Sequence, residues 1–166
     1  PHRDDVLLES VEPFADFVVL EERRNGLARI VVADPETADR HEITFDESAY
    51  DVWVDENHDY ETSVLRFGYT SLTTPESIYE LDPSSGERRL LKRTEIGGGF
   101  DPADYVSERV WATARDGVRV PISVLRRADL AFDGSAPLLL TGYGSYGAST
   151  EPSFRPEVLS LVDRGF

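Results

Sequence analysis

The sequence contains no cysteine, which excludes a disulfide framework and any metal site built on thiolate ligands. It also contains no apolar run long enough to span a membrane, and its start shows no signal-peptide pattern. We therefore expect a cytoplasmic protein that has no membrane partner.

Positive charge is scarce as well. The 166 residues include 17 Lys and Arg against 32 Asp and Glu, a formal net charge of −15, and the only lysine is Lys92. Nucleic-acid binding needs basic patches, so we expect no nucleic-acid partner. The acidity itself has three open explanations, namely solubility, an acidic surface that favours basic peptides, and a high-salt habitat. A hydrophobic content of 40% is enough to build a core.

The first hundred residues alternate between apolar runs and turns. Asn25-Gly26 separates residues 17–24 from residues 27–33, and Asn-Gly between two apolar runs predicts a tight hairpin, because both central turn residues need positive φ. Residues 41–45 follow as a third strand. The same order recurs farther along, at residues 63–70, 77–81 and 88–93.

This recurrence has a fixed offset of 48 positions, which aligns three pairs: Ile30 with Ile78, Asp34-Pro35 with Asp82-Pro83, and Arg40 with Arg88. Strand units that repeat every 40–50 residues or so predict the blades of a β-propeller, each a four-stranded antiparallel sheet stacked on its neighbours. Residues 50–54 would form the inner strand of the second blade, with Trp53 packed between blades. A single β-sandwich is the alternative. Two blades cannot close a ring, so we expect the others upstream.

The pattern changes after residue 95. Three glycines and a proline in residues 96–102 predict a linker, which we extend to residue 108. We therefore divide the chain into part of a propeller (residues 1–95), a linker (96–108) and the start of a second domain (109–166).

The second domain is predicted to begin with a hairpin formed by residues 109–114 and 118–124. The fully apolar residues 137–141 predict a buried strand of an α/β sheet. A helix is expected over residues 156–163, with Pro156 in its first turn and Gly165 after its end.

Two motifs near residue 145 mimic known sites. The glycines of residues 142–147 satisfy G-x-G-x-x-G, but Pro152 and Pro156 delay the helix that a dinucleotide site opens at its third glycine. Ser145 follows a predicted strand, yet Tyr143 occupies the first glycine position of G-x-S-x-G and no histidine follows. We reject both the dinucleotide site and a nucleophilic role for Ser145.

The same region carries a family resemblance. The resembling segments are Y-V-S-E-R-V-W-A-T-A-R-D-G-V-R-V-P-I-S, P-L-L-L-T-G-Y-G-S-Y-G-A-S and L-S-L-V-D-R-G-F, and upstream R-F-G-Y-T-S-L-T-T-P-E-S-I-Y-E-L-D-P and L-L-K-R-T-E. Together they resemble the prolyl oligopeptidase family of serine peptidases, in particular its oligopeptidase B (protease II) branch.

The resemblance implies a mainly β fragment: the last two antiparallel blades of a β-propeller, then the first strands and first helix of an α/β-hydrolase domain. It implies hydrolysis of short peptides after Arg or Lys, with no metal and no cofactor. Tyr143 matches an oxyanion-hole donor and Tyr146 an aromatic residue of the substrate pocket. The nucleophilic Ser, the Asp and the His would lie outside this chain. The isolated chain is therefore expected to be inactive, and to self-associate or pair with the missing parts of its parent.

Two rival functions stay open at this point. One is a non-catalytic β-repeat interaction module, in which residues 137–166 merely cap the repeats. The other is a related acylaminoacyl-peptidase or esterase that shares the hydrolase domain. A downstream G-x-S-x-G followed by Asp and His would exclude the interaction module.

Overall fold

The computed structural model describes residues 2–131 and 133–166. Up to Arg93 these residues form two four-stranded antiparallel sheets, each ordered as its strands occur in the chain. The first sheet contains β1 (Val6–Pro13), β2 (Val18–Arg24), β3 (Leu27–Ala33) and β4 (Arg40–Glu42). The second contains β5 (Tyr50–Val54), β6 (Leu65–Ser71), β7 (Ser77–Leu81) and β8 (Arg88–Arg93).

The rest of the chain is more sparsely structured. A 3-10 turn (Pro102–Asp104) leads into an antiparallel hairpin of β9 (Tyr105–Thr113) and β10 (Arg119–Arg127). The helix α1 (Pro156–Val162) follows. The hairpin and the helix occur where the sequence predicts them, although β9 begins at Tyr105, inside the residues predicted as linker. Of the helices in the described residues, none is long and apolar enough to cross a membrane.

The two sheets repeat as the 48-residue offset predicts. Ile30 lies in β3 and Ile78 in β7, the third strand of each sheet. Arg24 pairs with Leu27 across a turn in which Asn25 and Gly26 have φ of 54° and 75°, as the Asn-Gly signal requires. The first strand of the first sheet, β1, was not predicted.

The repeat includes the turn between the third and fourth strands of each sheet, β3–β4 and β7–β8. The Asp34 carboxylate accepts hydrogen bonds from the backbone N–H of Glu36 and Thr37 at 2.7 and 2.9 Å. Asp82 accepts the equivalent bonds from the N–H groups of the second and third residues after it, at 2.8 and 3.3 Å. An aspartate that caps its own turn explains why Asp-Pro marks both positions.

One hydrophobic core lies between the sheets. Ile30 and Val19 of the first sheet and Phe67 and Leu65 of the second have no solvent exposure. The other buried members of this core are Phe14, Phe17, Leu27, Ala28, Val32, Ile43, Tyr50, Val52, Tyr69 and Leu81. Because this one cluster draws on both sheets, each sheet shields apolar side chains of the other from solvent.

Trp53 does not lie between these two sheets, and its predicted packing between blades stays a prediction. Its neighbour Val52 belongs to the shared core, and successive side chains of a strand point to opposite faces. Trp53 therefore lies on the outer face of the second sheet, where it covers Gly68 of the paired strand.

The structure does not show the predicted strand over residues 137–141, since the described residues form no ladder there. Leu138 and Leu140 are 78% and 71% exposed. A buried parallel strand needs a hydrogen-bonded neighbour and cover on both faces, and no described strand lies beside this segment. The described fold is therefore mainly β, and no α/β sheet forms within it.

We predict that Gly68→Ala destabilises the protein, because a Cβ at this position would lie 2.1 Å from the Trp53 ring. Such overpacking costs about 1–3 kcal/mol of the free energy of unfolding, measured by chemical denaturation. Gly97→Ala, where a Cβ meets nothing within 4 Å, is the control and should stay within about 0.5 kcal/mol.

The same substitution in a Trp53→Leu background should cost much less, because the clashing ring is gone. An equal loss in both backgrounds would show that the ring does not limit the space at Gly68.

Candidate functional site

Both predicted site residues lie at the surface. Tyr143 is 60% exposed and Tyr146 is 99% exposed, and neither side chain forms a hydrogen bond or ring contact with other described residues. Tyr146 has a φ of 57° and lies in a turn closed by the Ala148 N–H, which donates to the Ser145 carbonyl at 3.1 Å. The assigned roles of the two tyrosines therefore stay predictions.

The segment that follows this turn is anchored to the sheets. The Phe154 N–H donates to the Thr70 hydroxyl on β6 at 3.1 Å, and Pro152 is buried. The Phe154 ring meets the Phe100 ring edge to face, with centroids 5.1 Å apart. Residues 151–154 thus connect the glycine-rich turn to the second sheet and to the linker.

An arginine of the first sheet also contacts this segment. We call the contacts between residues 151–154 and the two sheets the junction. Arg23 on β2 donates through Nε to Glu9 on β1 and through Nη2 to Glu151, both at 2.8 Å. Burial by itself lowers the pKa of Arg23, but its two carboxylate partners outweigh that effect and raise the pKa overall. One guanidinium therefore holds together two strands of the first sheet and the segment after the turn.

Asp51 on β5 gives the junction a surplus of negative charge. Its side chain is half-buried, and burial together with the nearby carboxylates of Glu151 and Glu9 raises its pKa from 3.8 to about 6. The Val52 N–H and the Arg23 guanidinium oppose this shift. Glu9 and Glu151 are paired with Arg23, whereas Asp51 interacts with that guanidinium only through space, and Arg109 lies near Glu151 as well.

The hairpin and the helix form the other side of the junction. The Tyr105 hydroxyl donates to Asp163 just after α1 at 2.8 Å, and the Arg127 guanidinium lies 5.5 Å from the Tyr105 ring centroid. Arg109 on β9 donates to the backbone carbonyl of Asn25 in the first sheet. The C-terminal elements therefore contact the first sheet at the β2–β3 turn.

No complete catalytic constellation lies within residues 2–131 and 133–166. Ser145 forms no hydrogen bond with a histidine there, and the histidines at positions 2, 41 and 58 are all exposed. The described part of the chain also contains no group of three or more His, Cys, Asp or Glu side chains arranged to hold a metal ion.

Sequence reasoning missed the Arg23 cluster. Glu9, Arg23, Asp51 and Glu151 come from four separate segments, and none belongs to a motif. Only the charge type of each residue was visible, and the sequence holds 32 acidic residues to choose from.

The chain matches known proteins along almost its whole length. A family model described as prolyl oligopeptidase, N-terminal beta-propeller domain, matches residues 1–94. Over 165 residues the chain is 45% identical to dipeptidyl aminopeptidase BI of Pseudoxanthomonas mexicana and 35% identical to protease 2 of Moraxella lacunata. It is also similar to the structure of oligopeptidase B from Trypanosoma brucei with covalently bound antipain, with 40% identity and a TM-score of 0.90.

These matches cover 99% of this chain but a small part of each relative. The chain spans 22% of the Pseudoxanthomonas protein, 24% of the Moraxella protein and 24% of the trypanosomal chain. The similarity therefore includes the hairpin and α1 as well as the two sheets.

We predict that Asp51→Asn stabilises the protein at pH 8. The raised pKa means that the folded state binds the Asp51 proton more tightly than the unfolded state, so stability from this group is present below pH 3.8 and is lost as the pH rises through about 6. The asparagine carries no such loss.

Thermal melting at pH 4, 6 and 8 checks this prediction. The variant should melt above the parent at pH 8, and the difference should shrink as the pH falls. Asp16→Asn, at an exposed position, is the control for the loss of one negative charge. A melting temperature of Asp51→Asn at or below that of the parent at pH 8 would contradict the prediction.

Proposed function

Because the chain belongs to the prolyl oligopeptidase family of serine peptidases, we propose that it is part of an enzyme that hydrolyses short peptides after arginine or lysine. The observation that carries the proposal is the match to trypanosomal oligopeptidase B over 99% of this chain, with a TM-score of 0.90.

In this proposal the two sheets are the last two blades of a propeller, and the elements from Tyr105 onward begin an α/β-hydrolase domain. Residues 137–141 then become a strand once the rest of that domain supplies neighbours. The exposed leucines of this segment are the apolar side chains that such a sheet would cover. The isolated chain would self-associate or bind the missing parts of its parent, and it would be inactive, since the Ser, Asp and His are proposed to lie outside it.

Tyr143 would act at the carbonyl of the scissile bond. Nucleophilic attack by a serine places negative charge on that oxygen, and a phenol hydroxyl can donate a hydrogen bond to it without bringing a charge of its own. Such a donor stabilises the transition state more than the bound substrate. Tyr146 would pack its ring on the aliphatic stem or the cation of the basic side chain.

A second activity is favoured by one observation. The chain is 45% identical to a protein named dipeptidyl aminopeptidase BI, and release of dipeptides would require a free substrate N-terminus. An endopeptidase accepts a blocked N-terminus. The two activities are therefore separated by the substrate and not by the catalytic groups.

Four chromogenic substrates test the full-length protein: an N-blocked arginyl anilide, a dipeptidyl anilide with a free N-terminus, an N-blocked prolyl anilide and a simple ester. We expect fast hydrolysis of the arginyl anilide and little of the prolyl one. Turnover of the free dipeptidyl anilide alone would assign dipeptide release. Turnover of the ester alone would assign an esterase, and no turnover of any would leave the interaction module.

We predict that Tyr143→Phe in the full-length protein lowers kcat on the arginyl anilide by about a hundred- to a thousandfold, because one oxyanion donor is lost while the ring remains. KM should change much less. Tyr60→Phe, at another exposed tyrosine, is the control and should leave kcat unchanged. A kcat of Tyr143→Phe within about twofold of the parent would remove Tyr143 from the mechanism.

Tyr146→Ala should have the opposite kinetic signature. Loss of the aromatic wall weakens binding of the basic side chain, so KM for the arginyl anilide should rise more than kcat falls. Steady-state kinetics with an arginyl and an alanyl substrate measure this effect. An equal change for both substrates would show that the ring does not contact the basic side chain.

A further inference from the structure

A cleft opens between the two sheets on the side of their last strands, β4 and β8, away from the Arg23 junction. Its volume is about 480 Å³, within the range of small-molecule sites. One wall is the connection from β4 to β5, which includes Phe45 and Glu47, and the other is the core-facing side of β7 and β8. Pro102 of the linker also lines it.

Two arginines of β8 face this cleft because of a β-bulge. Arg88 pairs with Leu81 and Arg93 with Ser77, while the register shifts between the partners of Tyr79 and Ile78, so that Leu91 is left without a partner. Directly opposed residues share a face of the sheet. Without the bulge, two residues five positions apart would point to opposite faces.

Both guanidiniums contact only neutral groups. Arg88 donates to the Thr44 carbonyl at 2.7 Å and lies over the Phe45 ring, 5.1 Å from its centroid. Arg93 donates to the hydroxyls of Ser77 and Tyr79 at 2.9 and 3.0 Å. Within the described residues, neither has a carboxylate oxygen within 4.0 Å.

The neighbouring arginines differ in this respect. Arg89, one residue after Arg88, lies 2.5 Å from Glu80, and Arg66 lies 3.0 Å from the same carboxylate. Arg40, the counterpart of Arg88 in the first sheet, lies 3.8 Å from Glu22.

One of the two carboxylates that line the cleft already has a full set of hydrogen bonds. Glu47 accepts hydrogen bonds on Oε1 from Ser71 and Thr73 at 2.5 and 2.6 Å, and on Oε2 from Tyr69 and Thr74 at 2.6 and 2.8 Å. Burial raises the pKa of Glu47, but these four donors outweigh it and lower the pKa overall. Asp46, the other acidic residue of the lining, is exposed and attracts Arg88 through space, but it forms no ion pair with that guanidinium within 4.0 Å.

We propose that this inter-sheet cleft binds a small organic carboxylate, held between Arg88 and Arg93 with its flat apolar part against Phe45 and Tyr79. The planar fork of a guanidinium matches a carboxylate in geometry and charge. The two rings supply apolar surface beside it. This inference does not depend on the proposed peptidase activity.

Isothermal titration of the full-length protein at low salt tests the proposal, with benzoate as the probe and benzamide as its uncharged analogue. We expect saturable binding of benzoate at millimolar concentrations, as suits so small a ligand, and none of benzamide. Arg88→Met and Arg93→Met should each weaken benzoate binding about tenfold or more, because each removes a charge-assisted hydrogen bond. Arg89→Met is the matched control and should bind as the parent does.

Thermal melting of each variant checks that it is folded. If Arg88→Met unfolds, Arg88→Lys keeps the charge, loses the planar fork and should bind benzoate more weakly than the parent. Absence of saturable benzoate binding would overturn the proposal. So would equal binding of benzamide, or benzoate binding unchanged in both methionine variants.

Discussion

The packing of one sheet face on the other is the constraint on which the rest of this structure depends. Ile30 and Phe67 lie fully buried at the contact, and each sheet contributes about half of the shared core. The buried cluster draws side chains from both sheets, so each sheet shields apolar side chains of the other from solvent. This packing places β5, an edge strand of the second sheet, against β3 of the first sheet. The position of Asp51 on β5 follows from that contact.

The junction with the C-terminal elements is built on that pair of sheets. Arg23 reaches Glu151 from the first sheet, and Thr70 receives the Phe154 N–H on the second, so residues 151–154 bridge both. The C-terminal elements therefore contact both sheets at this junction.

Local signals in the sequence predicted the elements that local chemistry determines. Asn25-Gly26 requires a tight hairpin, and Asp34 caps its own turn, so both could be recognised without a partner. The 48-residue offset between Ile30 and Ile78 then gave the repeat. The family resemblance, which the comparisons match, came from five segments; the site roles predicted for the glycine-rich one are tested by no contact in this structure.

Features that depend on distant partners were not predicted. Residues 137–141 read as a strand because they are apolar, but a strand also needs neighbours, which the described chain does not supply. The face of the second sheet on which Trp53 lies depends on which face packs against the first sheet, and the sequence does not show that. The Arg23 cluster and the Arg88 cleft arise from pairing across sheets and from a β-bulge, neither of which has a periodic signal.

Hydrogen exchange of the amides in β3 and β6 tests the shared core most directly. If the two sheets form one cooperative unit, Phe67→Leu should lower the free energy of opening of β3 and β6 by the same amount, although the substitution lies only in the second sheet. Loss of protection confined to β5–β8, with β3 unchanged, would contradict the account, because each sheet would then be stable on its own.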